Sequence, residues 1–342
     1  MPSYRYVHLQ VRCGGMSLTV ATVNVNGIRA AAKVRNENNH GILPWLEETP
    51  ADVVLLQEVR ANPDQTTAAL APALESGWNL VQAEAAAKGR AGVAILSRHE
   101  ISDVTVGFGD HDAAGEFADA GRYIEATTAG VRVASVYLPS GAEGTGKQDE
   151  KFRFLDIFGP YLAERAAEYD ATGGMVVGGD WNICHRRADL KNWRPNRKKS
   201  GFLPDERAFM DSLLGTYPDE VTQVGDATDA GRNGNPAGSP GEFFGAVDYA
   251  AGGVASERVA AGAPEDPVWF DVLRRLNADV EEGPYSWWTW RGKAFDTGAG
   301  WRIDYQVATG ALMDRAESAW VDKVPDYDLR WSDHSPVLAT YR

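Results

Sequence analysis

One unit recurs along this chain and narrows its choice of fold more than any other feature: a short apolar run that closes on an acidic or amide side chain. Val53-Val54-Leu55-Leu56 leads into Gln57-Glu58, Met175-Val176-Val177 passes through Gly178-Gly179 to Asp180, and the run from Leu18 to Val25 carries Asn24 at its end with Asn26 just beyond. Continuous apolar runs of about four to eight residues suit strands covered on both faces. Further strand signals lie at Asp52 to Glu58, Gly92 to Ser97, Arg122 to Ala126, Val131 to Leu138, Trp301 to Ala308 and Pro336 to Tyr341. Helical spacing at Leu43 to Glu48, Asp64 to Leu74 and Asp149 to Tyr169 supplies the covers, so the chain reads as a sheet-rich α/β protein. Carboxylates delivered at strand ends are typical of active sites.

With 342 residues, 44% of them hydrophobic and 11 of them Trp, the chain can bury a substantial core as one large domain or two small ones. It lacks an apolar run of about 18 residues and a leader-like N-terminus, which points to a soluble cytoplasmic protein with no membrane partner. Cys13 and Cys184 are far apart and lack metal-ligand spacing, in keeping with a reducing compartment. Residues 1–16 read as an N-terminal extension, with Met16 as an alternative start. The stretch at about 218–266 is acidic and rich in Gly and Ala, far beyond an ordinary connection of about 4 to 6 residues. It is expected to be a solvent-exposed insertion.

The net charge of −14 argues on average against a polyanionic partner. Its distribution says otherwise, because His185 to Lys199 carries seven Arg or Lys residues directly after the Asp180 strand. Arg186, Arg187, Lys191 and Arg194 can neutralise phosphates there, while Asn192 and Trp193 can meet a sugar or base. The bland reading is a solvated charged loop.

Hydrolysis of a phosphodiester needs charge neutralisation at phosphorus, a positioned water and stabilisation of the leaving oxygen, which a hard divalent cation with carboxylate and amide ligands can supply. Taken singly, the candidate groups are weak: Asn24-Val25-Asn26-Gly27 is more often a turn, and Glu58 at a strand end is more often solvated. Asp180 and Asn182 are more specific, since alternation places both on one strand face. Asp304 sits inside an apolar run, where an unpaired charge costs on the order of several kcal/mol, so it needs a partner. Asp333-His334 offers a carboxylate beside an imidazole at a strand entrance.

In order, Asn24-Val25-Asn26-Gly27-Ile28-Arg29, Leu56-Gln57-Glu58, Gly121-Arg122, Tyr137-Leu138-Pro139, Gly179-Asp180-Trp181-Asn182, Trp301-Arg302-Ile303-Asp304-Tyr305 and Ser332-Asp333-His334-Ser335-Pro336 resemble exonuclease III and the abasic-site endonucleases. The resemblance runs from about Leu18 to the C-terminus and implies a four-layer αββα sandwich, two mixed β-sheets flanked by helices, with residues 17–342 as the catalytic domain. It further implies Mg²⁺, with Mn²⁺ as an alternative ion, held by Glu58, Asn26 and Asp333. Asn24 and Asn182 would position the phosphate, Asp180 would orient or deprotonate the water, and His334, oriented by Asp304, would contact a phosphate oxygen together with Tyr137.

Trp287, Trp301 and Ile303 match the apolar pocket that receives a flipped-out abasic sugar, with Arg122 and Arg291 as further DNA contacts. The implied activity is abasic-site incision, 3′→5′ exonuclease action, or both, by a monomer on abasic or 3′-recessed duplex DNA. Ser140 departs from the family pattern, where Asn or Gln often precedes Gly. Competing readings are a relative acting on lipid or inositol phosphates and a nucleic-acid-binding relative without turnover.

Overall fold

Alternation along the central strands explains why they read as continuous apolar runs. In β2 (Val53–Gln57), Val53 and Leu55 enter one apolar cluster while Val54 and Leu56 enter another, so both faces are covered. The computed structural model describes residues 17–215, 263–278, 280 and 282–342. The expected N-terminal extension with Cys13, and all but the end of the expected insertion, lie outside the described residues.

Strands β1 (Leu18–Asn24), β2, β3 (Asn79–Ala83), β4 (Val93–Ser97), β11 (Ala316–Val321) and β12 (Val337–Tyr341) form a six-stranded sheet ordered β11-β12-β1-β2-β4-β3. Strands β5 (Ile101–Val106), β6 (Tyr123–Thr128), β7 (Val131–Tyr137), β8 (Met175–Asp180), β9 (Trp269–Asp271) and β10 (Asp304–Thr309) form a second, ordered β5-β6-β7-β8-β10-β9. Each sheet is mixed, with one parallel pair, β1–β2 or β7–β8, among antiparallel neighbours.

Val20, Leu55 and Ile95 of the first sheet meet Val133, Val176 and Ala308 of the second in a buried layer between them. The first sheet's outer face is covered by the helices Ile42–Glu48, Pro63–Ala69 and Ala71–Glu75, and the second's by the long helix Gly146–Tyr169, which contributes Phe152, Phe154, Phe158 and Leu162. This is the expected αββα order. Two amides tie the sheets: Gln57 Nε2 donates to Ser135 Oγ at 2.9 Å, and Gln306 Nε2 donates to the carbonyls of Val20 and Val337 at 2.7 and 2.9 Å. A Cβ on Gly178 would lie 2.6 Å from Leu55 Cδ1 and 3.0 Å from Thr22 Cβ, so glycine here permits the close approach of the sheets behind Asp180.

The strand signals named above match eight strands within a few residues, except that Trp301–Ile303 precedes β10 as bridged extended chain. The other four, β3, β5, β9 and β11, are the sheet edges. An edge strand needs no two-sided apolar pattern; in β5, Val104 and Val106 are 46% and 48% exposed. The expected helix Asp64 to Leu74 is two helices hinged at Leu70, with Pro72 in the first turn of the second, where its missing N–H costs nothing. Helix Pro204–Leu214 had no counterpart in the sequence reading. No helix among the described residues is long and apolar enough to cross a membrane.

Candidate active site

Topology brings the recurring strand-end groups together. The parallel pairs β1–β2 and β7–β8 deliver Asn24, Glu58, Tyr137 and Asp180 at their C-terminal ends, and Asn24 is level with Gln57 and Tyr137 with Asp180. Strands β10 and β12 run the opposite way, so their N-terminal ends bring Asp304, opposite Asp180, and the preceding Asp333-His334 to the same edge.

At this edge Asn24 Nδ2 donates to Asp180 Oδ2 at 2.9 Å, and the Asn182 N–H donates to Asp180 Oδ1 at 3.0 Å, so both carboxylate oxygens are oriented. His334 Nδ1 lies 2.8 Å from Asp304 Oδ2, and its Nε2 faces Asp180 Oδ2 at 3.9 Å. Ser286 Oγ donates to Asp304 Oδ2 at 2.6 Å, completing the partnering of that buried acid. Asn26 Nδ2 donates to Asp333 Oδ1 at 2.8 Å, Trp287 Nε1 donates to Asp333 Oδ2 at 3.2 Å, and Arg60 pairs with Glu58 at 2.5 Å.

The backbone here departs from strand geometry. Asn26, Glu58, Arg60 and Asn182 all have φ of 49–52°, a left-handed conformation unusual for non-glycine residues. The expected alternation of Asp180 and Asn182 on one strand face is corrected accordingly: β8 ends at Asp180, and a left-handed Asn182 folds back so that its own N–H meets that carboxylate. Its Nδ2 is turned to the carbonyl of Leu138 at 2.9 Å.

Burial opposes charge on the His334 ring, but Asp304, reinforced by Asp180 and Asp333, outweighs it and raises the imidazole to about 10. For Asp180, burial dominates; the nearby imidazolium pulls its pKa down, Asp304 pushes it up, and the result is a carboxyl raised to about 7. Burial and the neighbouring Glu58 and Asp180 carboxylates push the Tyr137 phenol well above its ordinary range, so it stays a proton donor. Asp180, Asp304 and His334 have ligand atoms within 4.8 Å of one another; within this cluster the His334 ring is engaged by Asp304 at Nδ1 and faces Asp180 at Nε2, an arrangement that favours its charged form. Glu58, Asn26 and Asp333 offer hard oxygen donors at the same edge, a set that fits a hard divalent cation.

Beside His334 stands an apolar wall. Trp287 and Trp301 meet edge to face at 6.0 Å, their backbones bridged by reciprocal 2.9 Å hydrogen bonds, and Ile303 packs against Cys184, Leu190 and Phe202. Trp287 is 6.5 Å from the His334 ring, and Arg291 is exposed on the same segment. Arg122 lies over the Tyr137 ring at 5.3 Å and pairs with Glu150.

In the basic loop, Lys191, Asn192 and Arg194 are exposed, the guanidinium groups of Arg187 and Arg194 lie over the Trp193 ring at 4.6 and 4.7 Å, and Lys191 pairs with Glu282. Arg186 corrects the expectation: it is 1% exposed, pairs with Asp211 at 3.2 Å and donates to the Gly215 carbonyl, so it anchors the loop from inside and cannot reach a phosphate. Sequence reasoning also passed over Ser286, Arg60 and Ser332, whose hydroxyl donates to the Asn24 carbonyl at 2.6 Å. Ser332 stands inside a quoted motif without a role of its own, and only position beside the named motifs could have flagged Ser286 and Arg60.

A buried carboxylate oriented by two donors, an imidazole paired to a second acid, and further carboxylate and amide oxygens at the joint edge of two mixed sheets suit the hydrolysis of phosphate esters. The chain belongs to the Endonuclease/Exonuclease/phosphatase family, whose model matches residues 21–334. It is 28% identical to the exodeoxyribonuclease of Bacillus subtilis (strain 168), over 92% of this chain and 95% of the relative. It is 25% identical to the DNA repair nuclease APEX1 of Danio rerio, over 94% of this chain and 81% of the relative. An AP endonuclease from Archaeoglobus fulgidus shares the fold at a TM-score of 0.68 and 24% identity, covering 95% of this chain and 99% of that one. The 3′ phosphatase NExo from Neisseria, solved with a product DNA hairpin, follows at 0.66 and 24%, with the same coverage.

Proposed function

We propose that this chain is a metal-dependent DNA phosphodiesterase of repair that incises 5′ to abasic sites, removes nucleotides from recessed 3′ ends, or does both. The observation that carries the reading is the Asp304–His334–Asp180 relay: a buried imidazolium, fixed by one acid, facing a second acid raised toward neutrality. Relatives named for exodeoxyribonuclease and DNA repair activity support DNA as the substrate.

Asp180, oriented by Asn24 and by the Asn182 N–H, takes the proton of the attacking water; a base near neutral pKa suits that task. His334 places its charged Nε2 edge against a phosphate oxygen, and Asp304 keeps the ring charged as negative charge builds there. The Tyr137 hydroxyl donates to the same phosphate, and Asn24 and Asn182 fix its orientation. Glu58, Asn26 and Asp333 would hold Mg²⁺, or Mn²⁺ in its place, which when bound neutralises charge on the phosphate and leaving oxygen. Arg122, Arg187, Lys191, Asn192, Trp193, Arg194 and Arg291 flank this edge and would follow the DNA backbone. Trp287, Trp301 and Ile303 form a wall suited to an abasic sugar. A monomer suffices, because every named group comes from one chain.

The test uses two labelled duplexes, one with a central abasic site and one intact with a recessed 3′ end, each with Mg²⁺ and with EDTA. Metal-dependent cutting of either is expected, and the rate ratio assigns the dominant activity. Hydrolysis of a phosphoinositide with neither duplex cut would overturn the DNA assignment.

A further inference from the structure

Behind the catalytic edge lies a fully buried ion pair that the chemistry above does not use. Lys151, on the long helix, and Glu206, on the helix after the basic loop, meet at 2.6 Å with both side chains 0% exposed. The three ammonium protons of a lysine call for three acceptors. Lys151 has Glu206 Oε1, the Asn182 carbonyl at 2.9 Å and the Ser140 carbonyl at 3.4 Å. Glu206 Oε2 accepts from the N–H groups of Gly201 and Leu203 at 2.7 and 3.0 Å, and its Oε1 also accepts from Gln148 Nε2 at 3.0 Å.

One ammonium thus joins the segment after Tyr137, the segment after Asp180 and the end of the basic loop. Burying two charges is costly, and apolar residues of equal size often hold a fold as well or better. What apolar residues cannot do is fix the direction of a carbonyl. The carbonyl held is that of Asn182, whose left-handed backbone aims its N–H at Asp180.

We propose that Lys151, backed by Glu206, is a positioning residue: it holds Asn182 in its left-handed conformation and so sets the orientation of the Asp180 carboxylate. The assignment rests on the phosphodiesterase reading of Asn182 and Asp180. Lys151 touches no substrate and acts through the Asn182 carbonyl, and it links that carbonyl to the loop expected to grip the DNA backbone.

The test compares wild type, Glu206→Gln and the neutral double variant Lys151→Met with Glu206→Gln. Single-turnover cleavage of the abasic duplex with Mg²⁺ is followed beside DNA affinity in EDTA, melting temperature, and the Asn182 amide signals in asparagine-labelled protein. The double variant is expected to lose ~10- to 100-fold in kcat, as small misplacements of catalytic groups do, with KM and affinity within roughly threefold and displaced Asn182 signals.

Wild-type Asn182 signals and kcat alongside a changed melting temperature would overturn the proposal, leaving the pair a packing feature. Should the double variant not fold, Lys151→Gln, which removes the ammonium from the Asn182 carbonyl and keeps an amide donor for Glu206, carries the same comparison with the same two outcomes. Absence of cleavage by the wild type would sink the functional reading alone, and the Asn182 signals would still decide the role of Lys151.

Discussion

Replacing Asp304 by Asn removes one charge and almost no volume. An amide oxygen can still accept the 2.6 Å hydrogen bond from Ser286, so the local frame survives and the effect falls on His334. That ring is held charged up to about 10 against an ordinary value of 6.5. The gap is worth roughly 5 kcal/mol at ~1.4 kcal/mol per tenfold. Asp304 supplies most of it, through the 2.8 Å contact at Nδ1; Asp180 stands 3.9 Å from the far nitrogen. With Asp304 neutral, burial opposes the charge with only Asp180 and Asp333 against it, and the pKa of the ring falls.

In the wild type, kcat/KM should rise as Asp180 deprotonates near pH 7 and fall as His334 deprotonates near pH 10. In Asp304→Asn the descending limb moves down in pH, the ascending limb also shifts because Asp304 no longer raises Asp180, and the rate at pH 7.5 drops by up to ~10²- to 10³-fold, as for loss of one transition-state donor. Stability follows the same proton. A raised histidine contributes fully below about pH 6.5 and loses its contribution as pH climbs through about 10, so the substitution should flatten the decline in melting temperature across that window. The assay is a pH–rate profile on the abasic duplex with proton NMR titration of His334. An alkaline limb still near pH 10 in the variant would refute the reasoning.

Asp180→Asn should abolish metal-dependent cutting while duplex binding in EDTA remains; measurable turnover would remove Asp180 from its role as base. Glu58→Gln should raise the Mg²⁺ concentration needed for half-maximal rate by at least about tenfold, as second-shell losses alone reach that range, and an unchanged metal titration would exclude Glu58 as a ligand. Lys191→Gln with Arg194→Gln should reduce the slope of log affinity against log salt by up to about two, at ~0.9 per phosphate contact. Arg186→Gln should leave that slope unchanged but lower stability by roughly 2 kcal/mol, read as a fall in melting temperature, because Asp211 keeps His185 but loses a buried charge-assisted contact, and the Gly215 carbonyl loses its donor.

The central strands and the polar groups of the candidate site were legible in the sequence for one physical reason: a strand buried on both faces must be apolar throughout, so a charged or amide residue closing it stands out. Glu58, Asp180 and Asp304 were found this way, and burial said that Asp304 needs a partner, while the family resemblance supplied His334 as that partner. Edge strands gave no such signal, since β5 leaves most of its side chains in water. Arg186 and Arg187 are neighbours of one residue type, yet only the pairing with Asp211, across the intervening loop, turns the first inward. Lys151 and Ser286 escaped because each acts on a group distant in sequence, Lys151 on the Asn182 carbonyl and Ser286 on the Asp304 carboxylate.

The left-handed conformations of Asn26, Glu58, Arg60 and Asn182 carry a consequence for engineering. Each holds the chain away from its preferred backbone at a cost on the order of 1 kcal/mol, sustained by the interlocked sheets behind it. Glycine accepts that backbone freely, so relief of the distortion is one substitution away at every one of these positions. Heat resistance and turnover therefore pull in opposite directions along this rim. A library ranked by survival at high temperature alone would favour tougher proteins that have surrendered the side chains on which the proposed metal and water contacts depend.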